Sequence, residues 1–426
     1  MGAVFLPLNP AYRSDEVAYF LGDAEPCLAI GRPQDATWFR SVASASGVRS
    51  VYDLDANGRG SWSDLLDVES DEPSGPAATT GEDLAALVYT SGTTGRSKGA
   101  MITHRNLMSN AVALQRAWGF VGTDVLIHAL PIFHVHGLFV ATHTAMLTGV
   151  PLLFHDTFDA TRVIADFSSA TVFMGVPTMY TRLLSRPELD VAACAGMRLF
   201  VSGSAPLLAE TFHDFGERTG HIVLERYGMT ETGMNTSNPC LGERKGGTVG
   251  PALEGVGVRI VDDQDRVVLS GTVGGVQIKG PNVLLGYWRR PDKDAEEFTS
   301  DGWFRTGDVG VFDTDGYLEL VGRSKDLVIS GGYNVYPKEI ELLLDEMPGI
   351  VESAVVGVPD DDFGEAVTAV VTVQPGFVLD EALVITELKT RLASYKVPKR
   401  IHVVDELPRN AMGKVQKSVL RADFGA

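Results

Sequence analysis

"VYTSGTTGRSKGAMITHRN", residues 88–106, runs an apolar strand into a loop that crowds two Ser/Thr pairs, three glycines and one lysine into eleven positions. Such a loop suits a cluster of anionic oxygens. Glycine lets backbone N–H groups approach, hydroxyls donate, and an ammonium neutralises. A di- or triphosphate is the candidate ligand. The spacing departs from the Walker pattern, which places Gly-Lys-Ser/Thr five positions after the first glycine; here Gly92 leads to Ser97, Lys98 and then Gly99. A P-loop NTPase is therefore disfavoured. Taken alone, the stretch also fits a purely structural, solvated loop.

Outward from this loop, short β-rich runs alternate with helical patterns: "LAALVYT", "VLIHALP", "VPLLFH", "ATVFMGVP" and "MRLFVSGS". The alternation predicts an α/β fold of parallel sheets with crossover helices. Near residue 245 the texture changes to strands and turns, predicting a β-rich subdomain over about 245–324 within a large domain spanning 1–324. A smaller α+β domain is expected over 325–426, with a helix at "PKEIELLLDEM", a strand at "VESAVVGVP" and a helix around "ALVITELKTRLA". The chain opens on what reads as a buried strand, a turn and an amphipathic helix in "MGAVFLPLNPAYRSDEVAYFLGDAEP". No leading element covers that strand, which suggests a truncated N-terminus.

Composition limits the partners. The 426 residues are 44% hydrophobic and 21% charged, as expected of a globular protein with ample core. With 36 basic against 55 acidic residues the net charge is −19, which argues against a sequence-independent grip on nucleic acid or an anionic membrane. Any phosphate must be held by a local site. Cys27, Cys194 and Cys240 show neither paired nor metal-ligand spacing and read as reduced thiols in core positions. The longest apolar stretch, "HGLFVATHTAMLTGVPLLF" (136–154), is too interrupted to span a membrane and reads as a buried helix followed by a strand. No basic region precedes an apolar run at the start, so no signal peptide is expected and the cytoplasm is the default compartment.

Further motifs follow the loop in order: "YGMTET" (227–232), "RTGD" (305–308), "GRSKDLVISGGYNVYPKEIE" (322–341) and "PRNAMGK" (408–414). Together with "YTSGTTGRSKG" they resemble the acyl-adenylate-forming, AMP-binding superfamily, in its acyl-CoA synthetase branch. The resemblance covers 88–414. It implies a two-step ligation, in which a carboxylate first joins the α-phosphate of ATP with loss of pyrophosphate and a thiol then displaces AMP. ATP, Mg²⁺ and coenzyme A are the implied cofactors.

By that resemblance Thr90, Ser91, Gly92, Thr93, Thr94 and Lys98 cradle the β- and γ-phosphates. Glu231 offers a hard oxygen to Mg²⁺, and Thr230 donates to phosphate. Tyr227 supplies a flat face for adenine; Ser202, Gly203, Ser204 and Ala205 line its edge, with Glu225, Arg226, Gly228 and Met229 beside it. Asp308 accepts from the ribose hydroxyls, and Arg323 touches ribose or phosphate. Lys414 and His134 complete the catalytic group, Lys414 neutralising charge that builds during adenylation. Lys325 marks a pivot about which the small domain turns, bringing Gly331, Gly332 and Tyr333 to line a pantetheine tunnel. Lys414 is also expected to be sensitive to a lysine acetyltransferase and deacetylase.

Two arginines decide the acid. Arg182 and Arg226 near an acyl pocket would be costly to desolvate without an anion to pair with, and a second carboxylate on the substrate provides it. "FHVHG", "GVPTMY", "VSGSAPL" and "ERYGMTET" resemble the malonate–CoA ligase branch. That likeness implies that His136, Arg182, Ser204 and Arg226 hold the distal carboxylate of a small dicarboxylic acid, malonate or methylmalonate, while Met229 limits its length. The alternatives are structural arginines in a short-chain or aromatic acyl-CoA synthetase, or a truncated relic without activity. Alternation on a strand would put His134 and His136 on one face, but no third ligand motif accompanies them and zinc is not expected.

Overall fold

The computed structural model describes residues 2–66, 75–90, 97–330, 333–360, 363–410 and 413–425, without the Asn334 side chain. At its centre is a six-stranded sheet whose spatial order is Gly233–Ser237, Leu224–Met229, Leu199–Ser202, Val172–Gly175, Leu126–His128 and Leu152–Phe154. All neighbours are parallel except the first pair. Val172–Gly175 and Leu199–Ser202 are buried along their whole length, as strands covered by helices on both faces must be. Phe167, Phe173, Phe200 and Phe215 pack edge to face at the heart of this core. The α/β alternation read from the sequence is present here.

The strand that enters the glycine-rich loop behaves differently. Leu84–Thr90 pairs antiparallel with Lys98–Thr103, and Gly286–Tyr287 adds a third strand. So few residues join the first two strands that only a hairpin can connect them, since a parallel return requires a crossover of a dozen residues or more. The expected buried strand at the start is also corrected. Val4 and Phe5 are 46% and 53% exposed, and a single parallel bridge links Phe5 to Ala86. The amphipathic helix does form, as Ser14–Ala24, with Asp15 and Glu16 at its positive end and Val17, Phe20 and Leu21 turned inward.

The apolar stretch 136–154 holds a π-helical turn, His136–Ala141, continuing into the helix Thr142–Thr148 and then the strand Leu152–Phe154. His134 and His136 therefore sit at a helix start, not on a strand. The buried helix followed by a strand that the sequence predicts over 136–154 is present, with a first turn wider than an α-helix.

After residue 250, Gly257–Val261, Gly274–Lys279, Phe304–Phe312 and Leu318–Arg323 form an antiparallel sheet in that spatial order. The final sheet contains Val328–Ser330, Tyr333–Val335, Ile350–Asp360, Gly364–Val373 and Arg400–Val403. The helices Pro337–Asp345, Glu381–Arg391 and Lys417–Phe424 accompany it, and it has apolar clusters of its own around Val355 and Leu420. Among the described residues no helix is long and apolar enough to cross a membrane. Cys27, Cys194 and Cys240 are free thiols; Cys194 is buried and Cys27 exposed.

Candidate active site

The motif residues gather along one edge of the central sheet, where its strands end and the antiparallel sheet begins. Thr90 closes the first strand of the hairpin beside the Glu231 carboxylate, whose upward shift it opposes. Lys98 opens the second strand; its ammonium lies 3.0 Å from Glu297 and 4.2 Å above the centre of the Tyr287 ring. The Tyr287 hydroxyl donates to Glu231 at 3.3 Å. Thr90, Lys98, Tyr287 and Glu231 thus form one connected group. Burial raises the Glu231 carboxyl above the ordinary range, and the nearby charges of Arg323 and Lys98 oppose that shift. Ser91, Gly92, Thr93, Thr94, Gly331 and Gly332 lie outside the described residues.

Leu224–Met229 delivers Glu225, Arg226, Tyr227, Gly228 and Met229, and Thr230 and Glu231 make the turn into Gly233–Ser237. The Tyr227 hydroxyl donates to Asp308, whose other oxygen takes Arg323 Nε at 2.8 Å. Asp308 and Arg323 face each other across adjacent strands, so sheet register alone holds this pair in place. Asp308 is 5% exposed. Glu225 accepts from the Gly247 N–H at 3.1 Å, and burial pushes its carboxyl up to about 7.

On the other face of that strand Arg226 is 3% exposed, and among the described residues its Nε and Nη2 have no hydrogen-bond partner. Burial lowers its guanidinium to about 9. Gly203 makes room for it, since a Cβ there would stand 2.4 Å from Arg226 Cζ. Ser204, in the left-handed region at φ 72°, turns its hydroxyl to 3.2 Å from His136 Nδ1. His136 Nε2 is buried without a partner among the described residues. Burial and then Arg226 lower both His136 and His134, the latter to about 4, so both rings are neutral near pH 7. The result is a buried pocket in which nitrogens of Arg226 and His136 lack partners among the described residues. Arg182 does not join it: it is exposed on the helix Pro177–Leu184, whose inward face carries Met179, Tyr180 and Leu183.

Lys414 approaches from the C-terminal part of the chain. A Cβ on Gly413 would lie 3.0 Å from Thr178 Oγ1, so this loop rests on the helix Pro177–Leu184. Lys414 keeps contact with solvent, yet surrounding protein displaces enough water, with repulsion from Arg323 and Lys325, to lower its ammonium to about 8. Arg323, Lys325 and Lys414 thus converge with Asp308 and Asp326, leaving a surplus of positive charge. Lys325 lies in the turn Ser324–Asp326 and Tyr333 in Tyr333–Val335, where its ring stacks on Tyr395 at 4.6 Å.

Tyr287 and Glu297 are absent from the reading of the sequence. Glu297 sits in "DKDAEE", which looks like a solvated acidic helix, and meets Lys98 across a separation of 199 residues that no local spacing reveals.

Comparison with known proteins places this geometry. The AMP-binding enzyme family matches residues 1–288 and its C-terminal domain matches 339–414. A malonate–CoA ligase of Arabidopsis thaliana is 36% identical over 99% of this chain and 74% of its own length. A feruloyl-CoA synthase of Amycolatopsis sp is 35% identical over 100% of this chain and 84% of its own. ATP-bound MatB of Rhodopseudomonas palustris superposes with a TM-score of 0.96 at 51% identity, over 99% of this chain and 84% of that one. Apo MatB, at the same identity and coverage, superposes with 0.83, so the arrangement seen here is nearer the nucleotide-bound one. With these matches over nearly its whole length, the chain belongs to the AMP-binding enzyme family, in its acid–CoA ligase branch.

Proposed function

We propose that the protein activates a short dicarboxylic acid, malonate first, with ATP and transfers it to coenzyme A, releasing AMP and pyrophosphate. The observation that carries this reading is the buried Arg226, whose Nε and Nη2, like the nearby His136 Nε2, have no partner among the described residues. A charge so placed costs several kcal/mol unless an anion compensates it. A planar carboxylate matches the guanidinium fork and accepts from His136 Nε2–H as well, in the tautomer whose Nδ1 accepts from the Ser204 hydroxyl. A feruloyl or other aromatic acid offers no second anion. Relatives named for malonate and for ferulate are 36% and 35% identical, but a malonyl-CoA ligase solved with methylmalonyl-CoA and AMP is 39% identical, so the likeness leans the same way as the pocket chemistry.

In this reading the chain divides at 324/325. Thr90 and Lys98 bind the outer phosphates, and the pairing of Lys98 with Glu297 yields to them. Tyr227, Ser202, Gly203, Ser204, Ala205, Glu225, Gly228 and Met229 surround the base, and Asp308 with Arg323 takes the ribose. Glu231 fits a divalent cation, because a buried carboxylate whose ionised form is disfavoured gains from one; Mg²⁺ would be held by this side chain and phosphate oxygens. Bound there, the cation would neutralise phosphate charge. Lys414 places its ammonium beside Arg323 where the acid's reacting carboxylate meets the α-phosphate, stabilising negative charge in the transition state. Withdrawal of the Gly413–Lys414 loop from Thr178 then opens a path for the thiol past Tyr333.

The test is mass-spectrometric analysis of CoA thioesters after incubation with ATP, Mg²⁺, CoA and an equimolar mixture of malonate, methylmalonate, succinate, acetate, benzoate and ferulate. Malonyl-CoA is the expected main product. A monocarboxylate thioester as the main product overturns the diacid pocket.

A further inference from the structure

His128 is 1% exposed, ends a central strand, and takes no part in the steps above. Its Nε2 lies 2.9 Å from the Gly137 carbonyl oxygen. A carbonyl can only accept, so Nε2 carries the proton, and burial, which lowers the imidazole's affinity for a second one, favours the neutral Nε2–H tautomer. Thr142 binds the same oxygen twice, its hydroxyl donating at 2.9 Å and its backbone N–H donating from five residues on, the bond that defines a π-turn. The Thr142 hydroxyl oxygen is 3.3 Å from His128 Nε2, which closes a triangle of three polar groups. Phe154 covers the imidazole, with ring centres 5.0 Å apart.

This arrangement determines where His136 points. An ordinary α-helical start would not direct a third donor to the Gly137 oxygen, and Gly137 itself is confined, since a Cβ there would meet Pro131 O at 2.4 Å. The wide turn His136–Ala141 begins immediately before the clamped carbonyl, with His136 Nδ1 held against Ser204. π-turns are rare and persist where the surrounding structure over-determines them. The side chain aimed by this one belongs to the acid pocket.

We propose that His128 and Thr142 are positioning residues for acid selection: by clamping the Gly137 carbonyl they fix the π-turn that aims His136 into the pocket of Arg226. The inference rests on the proposed acid pocket. It assigns work to two side chains that touch neither acid nor nucleotide.

Steady-state pyrophosphate release, with the acid varied at saturating ATP and ATP varied at saturating acid, tests it in His128→Leu, His128→Gln and Thr142→Val. The acid is whichever the wild-type protein uses best in the thioester panel, so a wrong choice of diacid shows in the wild type and is separable from a failed clamp. Thr142→Val, a near-isostere, is expected to raise the acid KM about tenfold while ATP KM changes less than twofold. His128→Leu should do the same or more, and His128→Gln, which keeps a donor, should recover most of the loss. Thermal melting reports folding of each variant; if His128→Leu does not fold, Thr142→Val decides alone. Equal shifts of the two KM values in Thr142→Val, or no shift in either, overturn the proposal.

Discussion

Arg226 sets a conflict at a single position. Folding must desolvate a guanidinium whose Nε and Nη2 find no partner among the described residues, and burial disfavours its charged form, lowering it to about 9. Function would gain what stability loses. Arg226→Met, similar in length and uncharged, is expected to melt several degrees above the wild type in the absence of ligands while its malonate KM rises roughly thirtyfold, the equivalent of about 2 kcal/mol for hydrogen bonds to a charged group. Calorimetry and initial-rate measurements on the same preparation check both halves, and an unchanged malonate KM would place the anion elsewhere. Legibility at this scale depends on chemistry that is contiguous in the chain. Tyr227, Glu231 and Asp308 are readable because each lies in a short motif with a recognisable use for its side chain. Tyr287 and Glu297 are not, since a tyrosine after glycine and a glutamate in an acidic helix are ordinary surface residues until the fold brings Lys98 between them. Arg182 shows the converse limit: two arginines flank the same motifs, yet helical phase turns this one outward.

Elements decide how firmly these side chains are held. The helix Ser14–Ala24 grips both stems of the glycine-rich loop: the Tyr19 hydroxyl donates to the Ser97 carbonyl at 2.6 Å, and Tyr89 donates to Asp23. Trp288 adds a bond from its indole N–H to the Asp23 carbonyl at 3.0 Å. A phosphate-binding loop can be rich in glycine and still be positioned if its ends are fixed. Tyr19→Phe removes one anchor without changing shape, and ATP KM is expected to rise about threefold with the acid KM unaltered; equal KM values for both substrates in mutant and wild type would deny the helix this role. The helix is legible from its amphipathic pattern, but its use is not, because the bonds run from its polar face to residues 66 and 78 positions away. The opening strand fails for a related reason. "AVFLPL" has the composition of a buried strand, yet Phe5 meets a sheet only at one bridge, so composition alone does not place it inside. The helix and strand over 136–154 are legible, but the wide first turn at 136–141 is not, because the Gly137 carbonyl is claimed by His128 and Thr142, partners that a local pattern does not contain.

At the scale of the whole molecule, one side chain crosses between the two ends of the chain. Lys414 lies near Asp308 and Arg323 only because the loop around Gly413 rests against Thr178, and an approach of this kind can be made and unmade without disturbing either core. The order of the large elements is legible from the changing texture of the sequence, whereas their closed arrangement is not, because it is set by a few contacts among ordinary residues. Closure also tunes the lysine. An ordinary lysine carries its proton to above pH 10, but crowding and the neighbouring cations bring Lys414 down to about 8. The ammonium is therefore present below that value and lost as pH rises through it. Adenylation, followed as acid-dependent exchange of pyrophosphate into ATP, is expected to fall about tenfold for each unit above pH 8. Thioester formation from supplied acyl-adenylate should lack that limb, since in the proposed cycle the loop would have withdrawn by then. Lys414→Ala should abolish exchange at every pH and leave the second half-reaction within a factor of a few of wild type. If both half-reactions fall together in Lys414→Ala, or both show the same limb near pH 8, the lysine serves the fold or the thiol step and the division of labour between the two ends of the chain is wrong.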